Sequence, residues 1–188
     1  AIFGIAPDTE GLLPEEKEAH LLNLYRKRLK EISPARGGKA RTAAVPILYP
    51  TKDRTLYHLV YLTHHPKGIT VFAQASEQLD LVQRRARAQA KQANRVSRSR
   101  QMELFPTSTY IHREMRVDLS ETKDYWLNKL SATQRLFGIE ELADMIEETG
   151  WFESEFQAAF GELENEGKVK NLDERGKRRK KFVHFDAD

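Results

Sequence analysis

The stretch GIEELADMIEETGWFESEFQAAFGELENEG, Gly138–Gly167, carries two amphipathic patterns joined at a glycine. In the first, Leu142, Met145 and Ile146 share one face at helical spacing, so the pattern predicts a helix that ends at Gly150. The second segment repeats the spacing in a more aromatic form and predicts another helix. Its apolar face consists of Phe156, Ala159, Phe160 and Leu163.

The segments on either side extend this pair into a larger pattern. An apolar cluster at Tyr125–Leu130 predicts a preceding helix, and the alternating segments KVKNL and KFVHF follow around the turn DERGKRR. Three helices followed by a β-hairpin are typical of a winged helix. We therefore predict a winged helix at residues 119–188, preceded by a linker at residues 106–118.

The first half of the chain mixes helices and strands. Leu13–Pro14 opens a helix at residues 15–32, Ala43–Tyr49 is a strand weakened by Pro46, and Leu56–Leu62 is a strand with apolar residues on both faces. Such a strand is usually covered on both sides, so we expect Leu56–Leu62 to be buried between the first helix and another helix at residues 69–94.

The helix after the second strand changes character along its length. A stripe of Phe72, Ala75, Leu79, Val82 and Ala86 predicts a packed face, whereas the sequence after Gln83 is rich in alanine, glutamine and arginine. Residues 1–105 are thus predicted to end in a long basic helix, and the fold class of the whole chain is α+β.

Charge is segregated along the chain, although the net charge is only +3. No acid occurs between Leu81 and Met102, and no base occurs between Phe152 and Glu166. The absence of cysteine excludes disulfides, thiol nucleophiles and cysteine-ligated metals, and it favours a reducing, cytoplasmic setting. We expect no secretory leader and no membrane span.

Two basic segments are candidates for contact with nucleic-acid phosphates. The helical segment has no interleaved aromatic residues for base stacking, and its alternative is an exposed or protein-facing helix. The alternative for the wing segment is a solvated basic turn. The first, in the long helix, comprises Arg84, Arg85, Arg87, Lys91 and Arg95, with Arg98 and Arg100 beyond them. The second, in the wing, comprises Arg175, Lys177, Arg178, Arg179, Lys180 and Lys181.

The last helix of the winged-helix pattern is acidic where DNA-reading proteins place their recognition helix. Its glutamates would repel phosphates, so we interpret Glu153, Glu155 and Glu162 as a surface for a basic protein partner.

No catalytic or metal-binding pattern is evident in the sequence. His64 and His65 are adjacent, so an extended chain directs them to opposite sides, and no HExxH, P-loop or GxGxxG motif accompanies them. We predict no cofactor and no metal, and the sequence leaves open whether the chain belongs to an enzyme.

Residues 2–80 resemble the distal portion of the three-Cys-motif partner (TcmP) family. The resemblance rests on LLNLYRKRLKEI and LYHLVYLTHHPKGITVF, mainly at Leu24–Tyr25, Leu29, Leu56–Tyr57, Thr63, His65–Pro66 and Gly68. It implies that the strands are the last ones of a methyltransferase-like sheet whose glycine-rich cofactor loop lies outside these 188 residues. It also implies a three-Cys-motif protein as a partner.

Three functions are compatible with these observations. The first is a non-catalytic interaction module, in DNA modification or defence, that contacts nucleic-acid backbone, a protein partner or both. The second is the distal half of an adenosylmethionine-dependent nucleic-acid methyltransferase. The third is a pure protein adaptor.

Overall fold

The computed structural model describes residues 7–33, 38–52, 54–99, 118–130, 135–171 and 183–187. The elements are α1 (Pro14–Ile32), β1 (Arg41–Leu48), β2 (Thr55–Thr63), α2 (Pro66–Ser99), α3 (Ser120–Lys129), β3 (Arg135–Phe137), α4 (Ile139–Thr149), α5 (Glu153–Asn165), β4 (Val169–Asn171) and β5 (Val183–Ala187). This mixed α+β content confirms the predicted fold class.

Strands β1 and β2 form an antiparallel hairpin with a helix against each face. Arg41 pairs with Thr63 at one end of the hairpin, and Ile47 pairs with Tyr57 near the turn. On one face, His58 lies 3.4 Å from Glu18 of α1. On the other, the ring of Tyr61 stacks on that of Phe72 of α2 at 4.9 Å between centroids. The predicted strand pair and its two helical covers are confirmed.

The expectation that Leu56–Leu62 would be buried is wrong for much of β2. Leu56, Tyr57 and Leu59 are 48%, 56% and 49% exposed, whereas Ala43 and Val45 of β1 are buried. The physical reason is that the described sheet has two strands only, and α2 and α4 pack mainly on β1 rather than on β2.

Helix α2 forms over and beyond the predicted range, but its buried face differs from the predicted stripe. Ile69, Ala73 and Ser76 are buried, whereas Ala75 and Val82 are exposed. The winged helix packs against this end of α2. The position of that neighbour determines which face of α2 is buried, so this face cannot be predicted from the apolar periodicity of α2 alone.

The C-terminal part has the predicted winged-helix order of elements. The sheet order is β3-β5-β4, with both pairs antiparallel. Strand β3 was not predicted, because three residues are too short for an alternating pattern to be recognised. Gly150 takes a left-handed conformation (φ 77°) and ends α4, as predicted.

Trp126 lies at the centre of the winged-helix core. Its ring makes edge contacts with Phe137, Phe156 and Phe160 at 5.4–5.9 Å between centroids, and its Nε1 donates to the Phe156 carbonyl at 2.9 Å. The same apolar cluster continues to Ala43 of β1 and to two residues of α2, Ile69 and Ala73. The hairpin and the winged helix therefore share one core, while the domain boundaries at 105 and 119 stay a prediction.

Candidate nucleic-acid and protein interface

Helices α4 and α5 occupy the positions of a helix-turn-helix pair. Phe156, Ala159, Phe160 and Leu163 of α5 are all buried, which confirms the predicted face and fixes the rotation of the helix. The glutamates of α5 flank this buried face, and the side opposite it carries the exposed residues Ser154, Gln157, Ala158 and Asn165.

The first turn of α5 lies beside α2. The Ser154 hydroxyl donates to the Glu77 carboxylate, and the Gln74 side-chain amide donates to Glu153 Oε2 at 3.2 Å. In DNA-reading helix-turn-helix proteins, this end of the second helix contacts base edges in the major groove. In this protein, Gln74 and Glu77 of α2 contact that end of α5.

The glutamates proposed as a protein-docking surface make contacts within the chain. Glu155 accepts the Phe152 backbone N–H at 2.7 Å, which is a capping interaction at the start of α5. Glu162 pairs with Lys123 of α3 at 2.6 Å, and Glu153 also accepts from Gln157 at 3.0 Å. Glu155 thus has a structural role that sequence reading did not assign, although Phe152 and Glu155 have the spacing of a capping box.

Lys123 also reaches Glu166 at 2.8 Å, so one lysine faces two carboxylates of the acidic segment. Hydrogen bonds from Lys123 and Lys168 hold the pKa of Glu166 down at about 2. This carboxylate therefore stays ionised throughout the physiological range.

The basic part of α2 is helical as far as Ser99, and its described cations differ in exposure. Arg85 and Lys91 are exposed, Arg87 is half-buried, and Arg84 Nε lies 2.6 Å from Asp80 Oδ2 one turn earlier. The Arg95 side chain lies outside what the structure describes, as do those of Arg98 and Arg100. The wing cations Arg175, Lys177, Arg178, Arg179, Lys180 and Lys181 fall in residues 172–182, also outside the described part.

A charged cluster that was not predicted joins the hairpin to α4. Arg41 is 3% exposed and bonds Glu140 Oε2 and Asp144 Oδ1, each at 2.5 Å. Glu147, one turn further along α4, accepts the Thr42 backbone N–H at 2.8 Å. The signal in the sequence is the spacing of Glu140, Asp144 and Glu147, which places three acids on one face of a helix.

Arg26 of α1 completes this cluster. Its guanidinium donates to the carbonyls of Thr42 at 2.9 Å and of Glu147 at 3.0 Å, and so bridges α1, β1 and α4. Burial lowers the Arg26 pKa from its ordinary value, against the opposing charge of Glu147. Every contact of this cluster is structural, and none points to a bound ligand.

The histidines take local structural roles. His64 Nδ1 lies 3.2 Å from the Gly38 carbonyl, which can only accept, so this nitrogen carries the proton. His64 Nε2 lies 2.8 Å from the Ser33 hydroxyl. Within the described part of the chain, no group of three or more His, Asp and Glu side chains is arranged to hold a metal ion.

Two further findings concern membrane-spanning helices and similarity to known proteins. Among the helices that the structure describes, none is both long and apolar enough to cross a bilayer. Neither a curated protein nor a solved structure matches the chain.

One protein-family model matches, and it covers residues 97–176. The matched range begins in the last turn of α2, contains α3, β3, α4, α5 and β4, and extends into the wing. The resemblance at residues 2–80 lies outside this range and stays a prediction. Residues 97–176 thus match the family model of a GMT-like winged helix-turn-helix domain.

Proposed function

We propose that this chain is a non-catalytic interaction module that contacts the phosphate backbone of nucleic acid through the basic half of α2 and the wing. The observation that carries the proposal is the exposure of Arg85 and Lys91 on a helix whose two acids, Glu77 and Asp80, already contact Ser154 and Arg84. Exposed cations along one element suit a backbone that presents phosphates in series.

The winged helix supports contact with the backbone rather than with bases. The first turn of α5 lies beside α2, and glutamates flank the buried face of α5. Contacts to phosphates position a protein on the duplex without reading its sequence. The proposed binding is therefore insensitive to base sequence and strongly dependent on salt.

The experiment measures the affinity for a labelled duplex by fluorescence anisotropy at increasing salt concentrations. It is carried out with two duplexes of unrelated sequence. We expect equal affinities for the two sequences and a linear fall of log K with log salt. Each phosphate contact removed should reduce the slope by about 0.9.

Two charge-neutralised variants locate the contacts. Arg85→Gln/Lys91→Gln tests α2, and Lys177→Gln/Arg178→Gln/Arg179→Gln tests the wing; both should flatten the salt dependence. Lys27→Gln/Lys67→Gln removes the same charge as the α2 variant from elsewhere on the surface and should leave the slope unchanged. Binding that depends on sequence, or equal effects of the α2 variant and its control, would contradict the proposal.

A second candidate function is the distal half of an adenosylmethionine-dependent nucleic-acid methyltransferase. It is favoured by β2, which carries apolar side chains on both faces as a strand inside a larger sheet does. This candidate requires a cofactor site outside the 188 residues. Calorimetric titration with adenosylmethionine should then show binding to a longer natural chain and none to residues 1–188.

The adaptor function is less well supported. Glu155 and Glu162, on which it depends, contact Phe152 and Lys123 of the same chain. A partner would have to compete with both contacts. A three-Cys-motif partner remains a proposal that follows from the resemblance at residues 2–80.

A further inference from the structure

The two edges of the β1–β2 hairpin are unequal. The outer edge of β1 is satisfied by side chains, because the Thr42 N–H donates to Glu147 at 2.8 Å and the Leu48 N–H donates to Gln83 Oε1 at 2.6 Å. Between them, Pro46 has no N–H, and its carbonyl accepts from Gln83 Nε2 at 3.2 Å. A side-chain amide thus occupies the place of a neighbouring strand.

The outer edge of β2 has no such cover among the described residues. Thr42 and Leu48 direct their N–H groups away from β2. Backbone groups alternate in direction along an antiparallel strand, so the backbone hydrogen bonds between β1 and β2 are made by Tyr57, Leu59 and Tyr61 of β2. The backbone groups of His58 and Val60 must then point outward. An open row of donors and acceptors is a template for pairing with another strand.

The side chains at this edge are apolar and exposed. Tyr57, Leu59 and Tyr61 alternate along the face that carries α2, and they are 56%, 49% and 36% exposed. Large apolar side chains together with open backbone groups favour a β-strand as the occupant, because a strand satisfies both.

The sequence of β2 indicates which strand. Thr55–Thr63 reads TLYHLVYLT, and apart from His58 and Val60 it is the same in both directions about Leu59. An antiparallel copy centred on Leu59 places threonine opposite threonine, leucine opposite leucine and tyrosine opposite tyrosine. In this register His58 lies opposite Val60 of the second copy, and these are the residues whose backbone groups point outward.

We propose that a second copy of this chain pairs with β2 along its open edge, antiparallel and centred on Leu59. The product is a four-stranded sheet in the order β1-β2-β2-β1 with a two-fold axis, the commonest symmetry of homodimers. Tyr57, Leu59 and Tyr61 of both copies meet on one face. This proposal does not rest on the proposed nucleic-acid binding.

Single cysteines test the register directly, because the natural sequence has none. Leu59 lies opposite itself in a pair without mutual hydrogen bonds, for which Cα atoms are about 4.5 Å apart, within disulfide range. Leu59→Cys should therefore give a covalent dimer under mild oxidation on a non-reducing gel. Leu62→Cys should not, since the two copies of residue 62 are about 20 Å apart in this register. Leu127→Cys, an exposed site on α3, is the surface control.

Sedimentation equilibrium provides the second test. The unmodified chain should be a dimer that dissociates on dilution, and Leu59→Lys should weaken the dimer by about tenfold or more, because two like charges then lie directly opposite each other. Leu127→Lys makes the same change at a 40% exposed leucine and should have no effect.

Three outcomes with this chain would overturn the proposal, and a fourth concerns a longer chain. The first is a monomer at all concentrations. The second is a dimer that survives Leu59→Lys, and the third is cross-linking of Leu127→Cys as rapid as that of Leu59→Cys. A longer natural chain that is monomeric, with slow amide exchange at His58 and Val60, would also overturn it, because a strand from outside these 188 residues would then occupy the edge. None of these results alters the expected salt dependence of nucleic-acid binding.

Discussion

Arg41 of β1 and Asp144 of α4 form an ion pair of 2.5 Å between Nη1 and Oδ1 across 103 positions of sequence. This pair joins the hairpin to the winged helix beside their common core. Because Arg41 is only 3% exposed, loss of its guanidinium would remove the buried counter-charge of Asp144, whereas Lys30 would still pair with Glu147 at 2.6 Å.

We expect Arg41→Leu to lower the free energy of unfolding by about 2–3 kcal/mol, measured by urea denaturation. Lys39→Leu is the matched control, because Lys39 Nζ lies 2.8 Å from the same carboxylate oxygen but its side chain is 62% exposed. The control should cost less than about 1 kcal/mol. Equal losses would show that burial of Arg41 adds nothing to the pair.

The same carboxylate predicts a dependence of stability on pH. Burial raises the Asp144 pKa, but hydrogen bonds from Lys39 and Arg41 outweigh it and hold this pKa below its ordinary value of 3.8. A folded-state pKa that is lowered contributes stability above the unfolded pKa, and the contribution is lost as pH falls through the folded pKa. Asp144→Asn should therefore be less stable than the unmodified chain at neutral pH.

The difference between these two proteins, measured by thermal unfolding, should shrink as the pH falls below the ordinary carboxyl pKa and through the lowered pKa of folded Asp144. A difference that is constant across the acid range would assign the effect of Asp144 to packing rather than to its charge.

The junction between β2 and α2 predicts a large effect at one glycine. A Cβ on Gly68 would lie 2.7 Å from Thr63 Oγ1 and 3.0 Å from Thr63 Cγ2. Gly68→Ala should thus destabilise the protein by about 1–3 kcal/mol in a denaturant titration.

Gly161 is the control for this prediction, since a Cβ there meets nothing within 4 Å and the residue lies inside α5. Gly161→Ala should stabilise the protein by about 0.5–1 kcal/mol through the helix propensity of alanine. A similar sign for both substitutions would contradict the steric argument at Gly68.

Variants of Glu155 can distinguish its capping role in stability from a role of its charge in partner binding. Glu155→Gln keeps a side chain that reaches the Phe152 N–H, so it should leave the melting temperature nearly unchanged, whereas Glu155→Ala should cost about 0.5–1.5 kcal/mol. A protein partner that recognises negative charge would be lost with both variants. Circular dichroism therefore tests the cap independently of any partner.

Periodicity in the sequence was sufficient to predict the helices and the winged-helix order. Gly150 and the Phe156–Leu163 stripe were identified correctly, because local spacing and a left-handed stop depend only on nearby residues. The hairpin β1–β2 was also predictable, since two strand-like runs lie on either side of a short polar connection.

The features that were missed depend on residues distant in sequence. Strand β3 exists because it pairs with β5 near the end of the chain, and its three residues carry no signal alone. The buried face of α2 is chosen by the winged helix, and Arg41 is buried because acids about 100 positions later surround it. The exposed position of β2 likewise depends on how many strands the sheet has.

Gln83 has a consequence for assembly. Its side-chain amide occupies backbone groups on the outer edge of β1, so a further strand can pair only with the outer edge of β2. In a dimer of two hairpins joined through β2, both outer edges of the four-stranded sheet would be β1 edges covered by Gln83. Sheet growth would therefore end at the dimer. Replacing Gln83 with a residue that cannot bridge Pro46 and Leu48 would free the Leu48 N–H, but Pro46 and the Glu147 contact to Thr42 would still block the rest of this edge.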